Sequence, residues 1–189
     1  HGNNYLSAMA LKFKHKLDSE VTISELMSPS HSNFSGKIHG GYILSMMDSV
    51  AFACASKHSG NYCVTASVNT VDFLAPIEVG ELVSMKSMVN YVGNSSMVVG
   101  IRVEAENIKT GAVKHCNSSY FTMVAMDDEG KNAEIPGLIM ETAEDVRRFL
   151  RSIERMRVKK QRSTEYGHDG FDLKKHLHKL DKYKVQVEL

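Results

Sequence analysis

At 189 residues with a formal net charge of +1, the chain is long enough for one domain with a substantial core and too nearly neutral for non-specific nucleic-acid binding. Its three cysteines, Cys54, Cys63 and Cys116, are odd in number and lack metal-ligand spacing, which argues against a disulfide framework or a zinc site and suits free thiols in a reducing cytoplasm. No segment reads as a signal peptide or a membrane span.

Three regions are expected: a lead-in over 1–17, a main domain over 18–135 and a charged, mainly helical extension over 136–189. His1-Gly2-Asn3-Asn4 reads as an expression remnant ahead of a natural start as late as Met9, and Leu11 to His15 as a basic, extended lead-in. Glu20 to Met27 alternates like a first strand and is stopped by Ser28-Pro29-Ser30. The loop His31 to His39 leads into the apolar run Tyr42 to Ala55. There Ile43, Met46, Met47, Val50 and Cys54 recur at helical spacing, while Leu44, Phe52 and the alanines make the other faces apolar too. Such a pattern predicts a buried core helix, ending around Lys57 to Asn61. From Tyr62 the period is that of strands: Cys63 to Ile77, with Pro76 forcing a break or an edge, then Glu81 to Val92, Ser96 to Asn107 and Ala112 to Met126. Gly93-Asn94 and Lys109-Thr110-Gly111 supply the hairpin turns, and Asp127-Asp128-Glu129-Gly130 is a polar stop.

One helix followed by an antiparallel meander predicts an α+β fold whose long sheet curls around the helix. A single such layer leaves a sheet edge and one helix end open, so at least a dimer is expected. Beyond Pro136-Gly137 the charge balance changes: residues 1–140 hold 10 Lys/Arg against 13 Asp/Glu, and 141–189 hold 13 against 9. Glu141 to Arg162 has Val146, Phe149, Leu150, Ile153 and Met156 on one stripe and a basic face opposite. Glu141, Glu144, Asp145 and Glu154 dilute that charge, so the expected role is a solvated face with the stripe packed on protein, rather than membrane or nucleic-acid contact. Asp172 to Leu180 repeats the pattern weakly, and Val185 to Leu189 reads as a terminal edge strand.

Asp48 is the only charge in the apolar run. A carboxylate in a core helix is costly unless it is paired, hydrogen-bonded or used. Capping a backbone group or pairing with a distant cation is the purely structural alternative. Two features favour chemistry. Gly40-Gly41 stand where the helix must begin, where bare N–H groups can meet a ligand closely, and Asn33 upstream can donate and accept hydrogen bonds at once. An oxyanion-binding helix start, a buried base and an orienting amide suit acyl transfer.

The pattern Asn33-x2-Gly36-x3-Gly40-Gly41-x6-Asp48 resembles the signature of hotdog-fold acyl-CoA thioesterases, most closely the branch acting on a broad range of acyl-CoAs. Thr65-Ala66-Ser67-Val68, then Asp72-Phe73-Leu74-Ala75-Pro76-Ile77-x2-Gly80-Glu81, then Val92-Gly93-Asn94-Ser95-Ser96 extend the likeness in order. It covers roughly Val21 to Asp127 and not the C-terminal extension. The resemblance implies a hotdog fold and hydrolysis of acyl-CoA to a free carboxylic acid and CoA, an activity of lipid metabolism. No cofactor is expected apart from the coenzyme A of substrate and product. It also implies a homo-oligomer whose dimers join their sheets and assemble further, as a trimer of dimers or a tetramer. In it, Asn33 of one subunit meets Asp48 of the other.

Within that frame Asp48 is expected as general base, or as a nucleophile forming a mixed anhydride, with the Gly41 N–H polarising the carbonyl and Asn33 fixing the water or the carboxylate. His39 and Gly40 are expected to line the substrate, His39 structurally rather than as an acid or base. Met46, Met47 and Phe73 are expected around the acyl chain. Thr65 and Ser67 are candidate donors to the site, as strand hydroxyls equally suited to packing. The turn Gly93-Asn94-Ser95-Ser96 lies where the family contacts pantetheine or nucleotide, and Lys57, Arg102, Lys109 and Lys114 are candidate phosphate partners. No metal site is expected, since His168 and His176-x-His178 lack a third well-spaced ligand. Two rival readings are a non-catalytic acyl-CoA-binding protein acting through its basic extension, and a dehydratase, whose catalytic histidine the His39–Asp48 spacing fits poorly.

Overall fold

A computed structural model of the chain describes residues 13–167 and 171–188. Five strands form one antiparallel sheet: β2 (Val21–Leu26), β3 (Tyr62–Phe73), β4 (Glu81–Val92), β5 (Ser96–Asn107) and β6 (Val113–Met126), in the order β2-β4-β5-β6-β3. Consecutive strands β4, β5 and β6 pair through short turns. Gly111 takes a φ of +71° in the second of these, a conformation that suits only glycine at low strain. The long helix α1 (Gly40–Ser59) lies on the sheet. Its Ile43, Met47, Val50, Ala51 and Cys54 share one buried core with Val83 and Met85 of β4, Val99 and Val103 of β5, and Phe121 and Met123 of β6. The α+β architecture expected from the meander is therefore present.

Local chemistry sets the ends of α1. The His39 ring caps its start, and Gly60, in the left-handed region, ends it with its N–H donating to the Ser56 carbonyl at 2.8 Å. Lys14 Nζ donates to the His58 carbonyl at 2.8 Å, placing a cation at the negative end of the helix dipole.

α1 is not buried all round, contrary to its sequence pattern. Gly41, Ser45, Asp48, Ser49 and Phe52 form an exposed stripe, because the sheet covers one side of the helix and none of the described residues covers the other. On the neighbouring edge strand β3, Tyr62, Val64 and Val68 are exposed as well. β3 also ends at Phe73 rather than reaching Ile77. The Leu74 N–H still donates to the Cys116 carbonyl, and past Pro76 the chain turns to the Asn33 loop, with the Ile38 N–H donating to the Ile77 carbonyl at 2.9 Å.

Two short strands complete the fold, the first inside the expected extended lead-in and the second missed by the sequence reading. β1 (Phe13–His15) and β7 (Gly137–Ile139) pair in parallel, and three residues are too few to display a period. The helix α2 (Ala143–Glu165) follows. Its start is a reciprocal cap: the Asp145 carboxylate accepts from the Thr142 N–H at 3.1 Å, and Thr142 Oγ1 accepts from the Asp145 N–H at 3.1 Å. Asp145 also pairs with the buried Lys16, which holds its carboxyl down at about 2. Phe149 packs on Tyr91 of β4 with ring centroids 4.9 Å apart.

The chain divides into two compact units at Ser152/Ile153, inside α2, a different place from the charge change near Pro136-Gly137. The second unit holds the rest of α2, the single turn α3 (Leu173–His176) and a 3₁₀ turn over Leu177–Lys182. Lys179 Nζ there donates to Glu165 at 3.0 Å and to the Tyr166 hydroxyl at 3.1 Å. Residues 185–188 form no strand, and Val185 and Val187 are exposed. His1-Gly2-Asn3-Asn4, Met9, His168 and Leu189 lie outside the described residues. No helix among those described is long and apolar enough to cross a membrane.

Candidate active site

Asn33 is the hub of the loop before α1. Its Oδ1 accepts from Ser35 N–H at 2.9 Å, Ser35 Oγ at 2.7 Å and Lys37 N–H at 3.2 Å. The Asn33 N–H donates to the Lys37 carbonyl at 2.6 Å, and Gly36 closes the turn with φ +77°. With the oxygen committed to the loop, the amide nitrogen is the end left for other partners. The loop is fastened from the side: His31 stacks on Tyr42 at 3.8 Å, and the Tyr42 hydroxyl donates to Glu25, which raises the Tyr42 pKa. This His31–Tyr42–Glu25 clamp carries no sequence signature, since its members come from three elements.

At the helix start the sequence expectation needs a correction. The Gly41 N–H donates to His39 Nδ1 at 3.0 Å, so that donor is spent on capping α1, which gives His39 its structural role. The neighbouring Gly40 N–H finds no acceptor among the described residues. Gly40 lines a groove of about 360 Å³ with Asn33, Lys37, Ile43, Phe73 and Pro76. A Cβ on Gly40 would stand 3.2 Å from the Phe73 ring, so glycine is what lets that ring lie against the first turn. At the rim Lys37 Nζ donates to Glu78 at 2.5 Å and holds the Glu78 carboxyl below its ordinary range.

Asp48 lies two helical turns on, about 12 Å along the axis from Gly40. Thr65 Oγ1 on β3 donates to Asp48 Oδ1 at 2.6 Å, a charge-assisted bond that fixes the carboxylate. The pair opens on a second groove, of about 410 Å³, walled by Phe52, Tyr62 and Val64. The structure thus joins Asp48 to Thr65 and Asn33 to Gly40 and Phe73, and keeps the two groups in separate grooves.

Other candidates lie elsewhere. Met47 is fully buried in the core, with Met46 nearly so. Gly93, Asn94, Ser95 and Ser96 form the β4–β5 turn at the opposite end of the sheet from Gly40, where the Asn94 carbonyl accepts from the Ile135 N–H at 3.0 Å. Lys57 Nζ donates to the Glu20 carbonyl at 3.0 Å, Arg102 pairs with Glu104 and Lys114 with Glu81. Ser67 Oγ is buried without a hydrogen-bond partner among the described residues. The cysteines are all buried and free, and burial pushes the Cys54 thiol up to about 11, which makes it a poor nucleophile. His58 is buried too, with desolvation holding its pKa down and Nε2 bonded to the Pro136 carbonyl at 3.0 Å. Among the described residues no group of three or more His, Cys, Asp or Glu could hold a metal ion.

Residues 35–112 match the thioesterase superfamily. Protein VdlD of Helicobacter pylori is 38% identical over 152 residues, spanning 80% of this chain and 87% of that protein. YkhA of Bacillus subtilis, named an uncharacterized acyl-CoA thioester hydrolase, is 33% identical over 145 residues, spanning 77% and 84%. Among solved structures, an apo-hexameric acyl-CoA thioesterase superposes with a TM-score of 0.77 at 32% identity, covering 80% of this chain and 97% of that one. The Staphylococcus aureus acyl-CoA hydrolase, solved with butyryl coenzyme A, coenzyme A and coenzyme A disulfide, gives 0.74 at 31% identity, covering 80% and 93%. That hydrolase has also been solved with an aspartate, a threonine or an asparagine replaced by alanine, the asparagine variant with coenzyme A bound. Fold, ordered motifs and these likenesses agree, and the chain belongs to the hotdog-fold acyl-CoA thioesterases of the thioesterase superfamily.

Proposed function

We propose that this acyl-CoA thioester hydrolase works in a site shared by two copies of the chain: Gly40 and Asn33 come from one, Asp48 and Thr65 from the other. One observation carries this reading. The bare N–H of Gly40 and the exposed, Thr65-held carboxylate lie in separate grooves, whereas an attacking water must touch both the carbonyl and its base. The aspartate, threonine and asparagine replaced in the S. aureus hydrolase stand at the same separations along its chain as Asp48, Thr65 and Asn33 here, which supports giving these three the chemistry.

The thioester carbonyl accepts from the Gly40 N–H at the positive end of the α1 dipole. Asp48 takes a proton from water as its oxygen attacks the carbonyl carbon, with the Asn33 amide nitrogen donating to that water or to the carboxylate. The C–S bond then breaks, and the protonated Asp48 returns the proton to a thiolate whose conjugate thiol has a Cys-like pKa of about 8.5. No cofactor beyond the coenzyme A of the substrate takes part. The groove between Gly40 and Phe73 takes the thioester end of the pantetheine. We assign the cytoplasm as the compartment, in keeping with three free thiols, and a dimer, assembled as a trimer of dimers, as the working state.

Thiol release from short, medium, long and aromatic acyl-CoAs tests the activity, with Asp48→Ala beside the wild type. Release by the wild type that the variant loses is the expected result; near-normal release by the variant would overturn the role of Asp48. Mixing Asp48→Ala with Asn33→Ala chains tests the sharing. A mixed dimer keeps one intact site, so activity returns to about a quarter of wild type on statistical mixing. No recovery places both residues in one chain's site.

A further inference from the structure

Phe34 is the most exposed large apolar side chain among the described residues, at 114% relative exposure, with Tyr183 next at 71%. Slack in the loop does not explain it. The turn that presents Phe34 is closed by the Asn33 N–H to the Lys37 carbonyl, by the Gly36 N–H to the Asn33 carbonyl at 3.0 Å and by three donors on Asn33 Oδ1. A Ser32–Ile38 bridge closes its base. Covering an apolar ring that a fastened turn holds out into water is favourable, and the turn's own order means little entropy is lost in doing so.

The matching surface lies on the same chain's other half-site. The groove beside Asp48 and Thr65 is walled by Phe52 and Tyr62, whose rings meet at 5.4 Å and 59°, and by Val64, all three exposed. Its volume of about 410 Å³ admits an aromatic ring together with part of a ligand. Asn33 and Phe34 are consecutive, so their Cα atoms are about 3.8 Å apart. If Asn33 reaches Asp48 of the partner subunit, as in the shared site proposed above, Phe34 arrives at the wall of that groove.

We infer that Phe34 of one protomer seats in its partner's groove between Phe52, Tyr62 and Val64 and closes its far end, making it the residue that limits acyl-chain length. This inference rests on the shared-site reading. Rings at tilted geometry pack there as Phe52 and Tyr62 already do. An acyl chain entering past Asp48 then runs toward the Phe34 ring, and each methylene beyond it must displace the ring.

The chain contains no tryptophan, so Phe34→Trp makes the loop tip its only indole. In the assembled protein its emission is expected to be blue-shifted and shielded from acrylamide. Shielding is expected to fall when Phe52→Ala or Tyr62→Ala is added, with the oligomer unchanged by size-exclusion chromatography. Solvent-exposed emission in the assembled protein, or shielding indifferent to both groove substitutions, would overturn the inference without any assay of turnover. In the activity arm, Phe34→Ala is expected to raise kcat/KM for long acyl-CoAs over short ones about tenfold, since each methylene fitted to an apolar pocket discriminates on that scale. An unchanged ratio would also overturn it. Thiol release by neither protein, beside a shielded indole, would instead count against the hydrolase reading and leave the seat of Phe34 standing.

Discussion

The two half-sites of one chain are built on different principles. Around Asn33 and Gly40 the chemistry is backbone: a turn fixed by its own hydrogen bonds, a bare N–H at a helix start and a ring packed where only glycine allows it. Around Asp48 and Thr65 it is side chain: one carboxylate, one hydroxyl and an open apolar wall. In the mechanism proposed above, the first half binds the carbonyl and the second supplies the base. On the shared-site proposal, the exposed stripe of α1 is an unfinished surface that a second copy completes.

The largest test of this contrast is Asp48→Ala, expected to lower kcat by about 10³ while leaving KM within a few-fold, measured by thiol release. Asn33→Ala comes next, at about 10² in kcat, because it removes an orienting donor and unfastens the loop; adding it to Asp48→Ala is expected to cost little more. Thr65→Val keeps the shape and removes the hydroxyl that holds the Asp48 carboxylate, for an expected loss of about tenfold in kcat with KM little changed. Gly40→Ala places a methyl 3.2 Å from the Phe73 ring, and a rise in KM of about threefold is expected as the groove narrows.

A control falls outside both halves. Asp145→Ala breaks the buried pair with Lys16 and the cap of α2, and is expected to cost about 3 kcal/mol in urea unfolding with kcat nearly unchanged. The sign of its pH dependence follows from a carboxyl held at about 2 against an ordinary 3.8. Its stabilisation is complete above about pH 4 and is lost as the pH falls toward 2, so wild type and variant should converge in acid.

Much of this fold was legible because its elements are long and sharply punctuated. Glu81–Val92 and Ser96–Asn107 are found where their alternation and the Gly93-Asn94 turn put them, and α1 follows from its apolar recurrence. The three-residue β1 and β7 are a parallel pair joined across most of the chain, and no local pattern records that. The apolar stripe on α1 was legible as apolar but not as exposed, because sequence composition does not distinguish burial within a chain from burial between chains. Asp48 was therefore found for a partly wrong reason: it is a surface carboxylate of the single chain, held by Thr65. At the helix start the residue types were right and the division of labour was not. Whether the Gly41 N–H is free depends on the rotamer of His39, which no spacing encodes.

The uncovered face beside β3 has a consequence for how the enzyme behaves in dilute solution. A protein whose apolar face and catalytic groups are both completed by association obeys mass action in two properties at once. With the shared site proposed above, specific activity and melting temperature should fall together along one binding curve on dilution below the dissociation constant, and added acyl-CoA should shift that curve to lower protein concentration.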